Sequence, residues 1–231
     1  MDENLTNSIF VISNALVVSG AKSVYSLEQR YEQTLKTIDS IDKACPSSIK
    51  IMFDAGETLS EKHVKSIADR GVTVIHTGGQ ESVKACAQRG LKSVGESLSF
   101  HMTLNLIRAN NIVADRIYKI SGRYWLNDNF VLGSEHVNKF VFTKRTKTWM
   151  HEDQIKITGV DHTYQSRLFH FDYSLLPTML DELKNVMIDC SYLGIDIEHA
   201  YFKYMSKYNP IEMDKIGLSG YQAPTGEMVD D

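Results

Sequence analysis

The sequence predicts an α/β protein with a mainly parallel central sheet flanked by helices and a mixed, partly antiparallel C-terminal half. Three observations predict it. The short continuous apolar run Ile9 to Ile12 suits a strand buried on both faces, and Ile49 to Phe53 and Val72 to His76 read as a second and a third strand. Helical patterns separate these runs, and strand–helix–strand units of this spacing favour right-handed crossovers and a parallel, nucleotide-binding type of half. After Gly133 the pattern changes: strand-like runs follow one another without obvious helices, which favours hairpins.

The first run ends at Ser13-Asn14 and passes into a loop carrying Ser19, Gly20 and Ser23. Ser26-x-x-Gln29 has the form of a capping box, in which each residue's side chain satisfies the other's backbone N–H. Leu27, Tyr31, Leu35, Ile38 and Ile41 then form an apolar stripe at helical spacing, and Pro46 closes the unit. The second strand runs into Asp54-Ala55-Gly56. A helix is expected over Ser60 to Arg70, stopped by Gly71, and the third strand follows. Gly78-Gly79 marks a turn, residues 81 to 96 carry no clear period, and Lys92 to Glu96 reads as a loop before a helix over Ser97 to Ala109.

A strand through Ile117, Tyr118 and Ile120 breaks at Ser121-Gly122, followed by Arg123, two aromatics and Asn127-Asp128-Asn129. Val137 to Thr143, Gln154 to Thr158 and Gln165 to Phe171 read as strands, with a polar connection over 144–153. Helices over Ser174 to Cys190 and Ile195 to Tyr208 follow. The tail from Ile216 to Asp231 reads as an ordered loop or a flexible end. No repeat or linker interrupts the chain, so residues 1–231 are expected to form one domain, with its halves meeting near residue 130.

The formal charge of −4 argues against broad attraction to nucleic acid or anionic membrane while leaving room for a local basic pocket. Cys45, Cys86 and Cys190 lie far apart without metal-like spacing and read as reduced thiols of a cytoplasmic protein. The start lacks a basic region, and no apolar run approaches the ~18 residues of a transmembrane segment. Gly-x-x-x-x-Gly-Lys-Ser/Thr, Gly-x-Ser-x-Gly and Gly-x-Gly-x-x-Gly are all absent, which weighs against kinase, hydrolase and dinucleotide chemistry.

Ligands of open α/β sheets bind beyond the carboxyl ends of strands, which singles out Ser13, Asn14, Asp54, Ser121 and Arg123. Lys119 shares a strand face with Ser121, and two cations around a glycine turn suit a phosphate or diphosphate. The competing account is a strand ending in a turn with a solvated arginine. Asp54 fits hydrogen bonding to a ribose or base, or a turn former. Lys92 and Glu96 flank a glycine and fit either donor contacts or a surface ion pair. Tyr124 suits stacking on a sugar or ordinary packing. His170, inside an apolar strand, is a core histidine or a phosphate contact; the histidines match no zinc spacing. Glu198 shares a helix face with Phe202 and Met205, where a raised pKa would suit a general base. Asp196, on a different side of that helix, is the second candidate.

The order of these pieces resembles small glycosyltransferases of the GT-A fold, of bacterial and viral type. The pieces are Phe10 to Asn14, Ile51-Met52-Phe53-Asp54-Ala55-Gly56, Lys92 to Glu96, Tyr118-Lys119-Ile120-Ser121-Gly122-Arg123-Tyr124, Asp196-Ile197-Glu198-His199 and the tail Gly217 to Glu227. The resemblance implies a Rossmann-like nucleotide half with a nucleotide-sugar site across its carboxyl ends. It implies transfer of a sugar, of hexosyltransferase type, to a hydroxyl of a glycan or lipid-linked acceptor. Many relatives carry Asp-x-Asp at the end of the central strand to hold a divalent metal; Ser121-Gly122-Arg123 stands there instead. The expectation is then a metal-independent enzyme in which Lys119 and Arg123 stabilise the leaving diphosphate. Asp128 is the alternative, as a ligand for Mn²⁺ or Mg²⁺ or for the acceptor. Glu198 or Asp196 would activate the acceptor hydroxyl. Two other classes stay open: a sugar nucleotidyltransferase and a non-catalytic nucleotide- or carbohydrate-binding module.

Overall fold

Two-residue alternation along buried strands builds the molecule in layers. A computed structural model describes residues 7–18, 24–58, 60–222 and 225–231; the expected loop positions Ser19, Gly20 and Ser23 and the tail positions Ala223 and Pro224 lie outside them. The first half comprises β1 (Ser8–Asn14), α1 (Leu27–Ala44), β2 (Ile49–Asp54), α2 (Glu61–Ala68), β3 (Val72–His76), α3 (Glu81–Gln88), α4 (Lys92–Ala109), β4 (Arg116–Ser121) and β5 (Tyr124–Leu126). The second comprises β6 (Phe140–Thr143), β7 (Thr146–Lys147), α5 (Glu152–Thr158), β8 (His162–Thr163), β9 (Leu168–Asp172), α6 (Leu176–Tyr192), α7 (Ile197–Met205), β10 (Ile211–Met213), β11 (Leu218–Tyr221) and β12 (Met228–Asp230).

The protein is α/β, with a seven-stranded, mostly parallel sheet ordered β10-β6-β9-β4-β1-β2-β3, in which β9 alone runs against its neighbours. Both halves of the chain contribute strands to it. Ile9 and Val11 of β1 join a core with Phe100 and Leu104 of α4, Leu183 of α6 and Tyr201 of α7. Phe10 and Ile12 face the opposite way, into a core with Ile38 and Ile41 of α1 and Ile67 of α2. The sheet is therefore covered on both faces, and the polar residues that its inner strands carry, Lys50, Arg116, Lys119 and His170, are themselves buried. A small antiparallel sheet, β12-β11-β5, completes the α1 side through Leu126 and Leu218. No helix among the described residues is long and apolar enough to cross a membrane.

The capping box forms as expected: Gln29 N–H donates to Ser26 Oγ at 3.3 Å, and Ser26 N–H donates to Gln29 Oε1 at 2.9 Å. Four expectations are corrected. The unread region holds α3, and α4 begins at Lys92, so Lys92 to Glu96 are helical and not a loop. Gly95 serves helix contact there, since a Cβ on it would lie 3.3 Å from Cys86 Cβ. Gln154 to Thr158 belongs to α5, not to a strand. Its ends decide the matter: His151 and Gln154 form a second capping box, and Gly159 takes the left-handed conformation (φ 69°) that closes a helix. The hairpin expectation holds only in part: β6 and β9 pair antiparallel, but β7, α5 and β8 stand between them in the chain. The tail is not a loop throughout, for β11 pairs with both β5 and β12.

Candidate active site

Strand order reverses beside β1: β2 and β3 lie on one side, β4 on the other. A crevice opens at such a point, beyond the carboxyl ends. Register places Ser13 opposite Ser121, and Asn14 opposite Asp54. The turn after β4 comes close to β1. Gly122 N–H donates to Ser13 O at 2.8 Å, and a Cβ on Gly122 would sit 3.2 Å from Asn14 Cγ. Helix α1 clamps the same turn. Thr34 Oγ1 donates to Gly122 O, Thr37 Oγ1 donates to Tyr124 O at 2.6 Å, and Asn14 Nδ2 donates to Thr34 Oγ1 at 2.9 Å. These bonds explain why α1 buries Arg30, Thr34 and Thr37 beside Ile38 and Ile41, while the expected Leu27 and Tyr31 stay part-exposed.

Two adjoining cavities, of about 440 and 230 Å³, occupy the crevice and share Lys92, Glu96, Ser121 and Arg123. Ser13, Asn14 and Arg30 line the smaller; Tyr124, Ser166, Arg167, Asp196 and Glu198 line the larger. Nine of the thirteen sequence candidates thus meet here: Ser13, Asn14, Lys92, Glu96, Ser121, Arg123, Tyr124, Asp196 and Glu198.

The cations are unusual in lacking acid partners. Among the described residues the Arg123 guanidinium makes no hydrogen bond or ion pair, and its Nε is buried without an acceptor. Arg30 is buried, and among the described residues its guanidinium bonds the carbonyl of Ala15 alone, at 2.7 Å. Burial, then the charge of Arg123, lower the proton affinity of Arg30, with Asp54 opposing. Arg167 lies over the Tyr124 ring, 5.6 Å from its centroid. A wall of this kind attracts anions.

Opposite stand the carboxylates at the start of α7, where the helix dipole favours negative charge. Asp196 is the N-cap residue and makes no side-chain capping bond, while Glu198 accepts from Ser166 Oγ at 2.5 Å. Because both sit at the helix start, both reach the larger cavity despite their different sides of the axis. Burial pushes the Glu198 carboxyl above the ordinary carboxylate range; the Ser166 bond opposes this and the charge of Glu96 adds to it. Burial works the same way on Glu96, but Lys119, helped by Lys92 and Arg123, outweighs it and holds that carboxyl low. Cys190 also lines the larger cavity; burial pushes its thiol up to about 12, so it is no nucleophile at neutral pH.

Four candidates lie outside the cavities. Lys119 is buried and spent within the protein: its ammonium donates to Glu96 Oε1 at 2.8 Å and to Ser166 O at 2.6 Å. Asp54 is fully buried, with its carboxylate accepting from the backbone of Gly56 at 2.7 Å and Leu16 at 3.1 Å. It is the turn former of the two readings. Asp128 is exposed and faces Lys43 at 3.7 Å, away from the site. His170 is buried in the sheet, where its Nδ1 accepts from Arg116 at 3.1 Å and its ring stacks on Tyr118. The residues present do not fit a metal held at the end of β4, since Asp54 is turned inward and Asp128 outward, and no cluster of metal-ligand side chains forms among the described residues.

Arg30, Ser166 and Arg167 join the site without having been anticipated. Arg30 follows the capping box on what reads as a polar helix face, and Ser166-Arg167 merges with the strand after it. The signal for them is tertiary. No protein-family model matches the chain, and no curated protein matches it either.

Proposed function

We propose that the protein is a metal-independent glycosyltransferase of the GT-A type, moving a sugar from a nucleotide-sugar donor to a hydroxyl of a glycan or lipid-linked acceptor. The observation that carries this reading is the Arg123 guanidinium at the β1–β4 crevice, without a hydrogen-bond or ion-pair partner among the described residues and set between a cavity holding Arg30 and one holding Glu198. The nucleoside occupies the smaller cavity and the diphosphate lies along Arg123 and Lys92. The donor sugar and acceptor meet in the larger one. Glu198 takes the proton of the acceptor hydroxyl as its oxygen bonds to the anomeric carbon. The bond to the diphosphate breaks, and its electron pair leaves on the phosphate oxygen, where fixed cations stabilise the growing charge. A carboxylate raised by burial is a stronger base than an ordinary one, and so suits the proton transfer. Lys119 is reassigned from the leaving group to the support of Glu96.

A thermal-shift panel of nucleoside diphosphates and nucleotide sugars, each with EDTA and with Mn²⁺, tests the reading. Ligand at a hundred times Kd should raise Tm by about 5–10 °C for one base only, and in EDTA. A shift that needs Mn²⁺ would replace the cation-based mechanism, and no shift with any nucleotide would sink the assignment.

A further inference from the structure

Lys119 is a buried ammonium that lines neither crevice cavity, and such a group is costly unless hydrogen-bonded partners compensate it. Its partners are informative. One is Glu96 Oε1; the other is the carbonyl of Ser166, whose hydroxyl donates to Glu198 Oε1 at 2.5 Å. The bonds run Glu96–Lys119–Ser166–Glu198 without a gap, from α4 through β4 to α7. Backbone contacts fasten the same pieces: Tyr164 N–H donates to Glu198 O at 3.1 Å, and Ile197 N–H donates to Ser93 Oγ at 3.3 Å. Tyr201, fully buried beneath, leaves its hydroxyl unpartnered and so adds no competing bond to Glu198.

We infer that Ser166 and Lys119 are positioning residues for Glu198: Lys119 anchors the Ser166 backbone, and the Ser166 hydroxyl occupies Oε1, so that Oε2 is the oxygen left to take a proton from the larger cavity. The inference rests on the reading of Glu198 as the base, but its test does not need turnover. A hydroxyl that donates to a carboxylate favours the ionised form, and the Glu96 charge nearby disfavours it. The two partners therefore pull Glu198 in opposite directions, and the Lys119 charge pulls the same way as Ser166.

The experiment is a ¹³C NMR titration of glutamate side-chain carboxyls in the whole protein, with Glu198→Gln used to assign the signal. Ser166→Ala should move the Glu198 midpoint up by about one pH unit, Ser166→Thr should restore it, and Glu96→Gln should move it down. Lys119→Met should raise it as Ser166→Ala does; if that variant fails to fold, the Ser166 pair decides. An unmoved midpoint in folded Ser166→Ala overturns the inference, whatever the enzyme's activity. The expected shifts in a protein that turns over no nucleotide sugar would sink the glycosyltransferase reading and leave the positioning geometry standing.

Discussion

The two ends of β4 each carry an arginine, and they are treated in opposite ways. At the amino end Arg116 is almost fully buried, with Nη1 donating to His170 Nδ1 at 3.1 Å and Nη2 to His136 O at 2.7 Å, although its Nε, like that of Arg123, is buried without an acceptor. Just past the carboxyl end, Arg123 makes no hydrogen bond or ion pair among the described residues. Around it stand Arg30, whose proton affinity its charge helps to lower, the Glu96 carboxylate, which its charge helps to hold low, and the two cavities. Desolvated charge without a partner is a cost to folding, and proteins keep such groups where a ligand supplies what is missing. One end of the strand, the closed one, is hydrogen-bonded within the fold; the other, the open one, is where on the proposed function a bound anion would supply the missing partner.

The largest expected effect is at the open end. Glu198→Gln should cut turnover by about 10²–10⁴-fold while leaving nucleoside-diphosphate affinity unchanged, and stability at pH 7 should not fall, because burial already disfavours the charged form. Unchanged product yield would remove Glu198 from the mechanism. Next comes Arg116→Leu, which strands the acceptors of His170 and His136. It should lower the free energy of unfolding by about 2–4 kcal/mol in urea titrations, with ligand affinity kept. Arg123→Ala is the mirror image: nucleoside-diphosphate affinity falls about 10–100-fold by calorimetry, and Tm stays level or rises. If Arg123→Ala unfolds the protein as readily as Arg116→Leu, the contrast between the two ends is wrong.

Much of the open end was legible, because it is built from strand termini. Ile9 to Ile12 announces a buried strand by continuity, Ile51 to Phe53 points to a second beside it, and whatever follows a strand must sit at the sheet's edge; Ser13, Asn14 and Arg123 come from that logic. Residue type says where a charge can go but not what it meets. Lys119 and Arg123 look alike in sequence, yet Lys119 is consumed by Glu96, 23 positions earlier, through the packing of α4 on the sheet. Asp54 was ambiguous for the same reason, since only the path of the loop after β1, 38 positions earlier, brings Leu16 N–H to its carboxylate. Gln154 to Thr158 misled differently. Gln-Ile-Lys-Ile-Thr alternates as a strand should, and in seven residues a helix has no room to show its own period. Its caps, His151 and Gly159, held the answer.

The closed end offers a last and smaller test. Arginine always donates, so His170 Nδ1 must accept, which keeps the ring neutral with its proton on Nε2. Burial first, then the charges of Arg116 and His136, hold the His170 pKa well below the usual histidine value. The unfolded chain titrates near about 6.5. Above that pH both states are neutral and His170 contributes no pH dependence. Below it the unfolded state takes up a proton that the folded state refuses, so stability is lost as pH falls, by up to about 1.4 kcal/mol per pH unit. His101 and His199, lowered mainly by burial, add losses of the same sign. His170→Gln, whose amide can still accept from Arg116, should flatten the slope of unfolding free energy between pH 6.5 and 5 by up to one proton, read from urea titrations across that range. An unaltered slope would mean that the ring is not held neutral. Nucleoside-diphosphate affinity at the far end of β4 should be the same in both proteins, because nothing in the crevice touches this histidine.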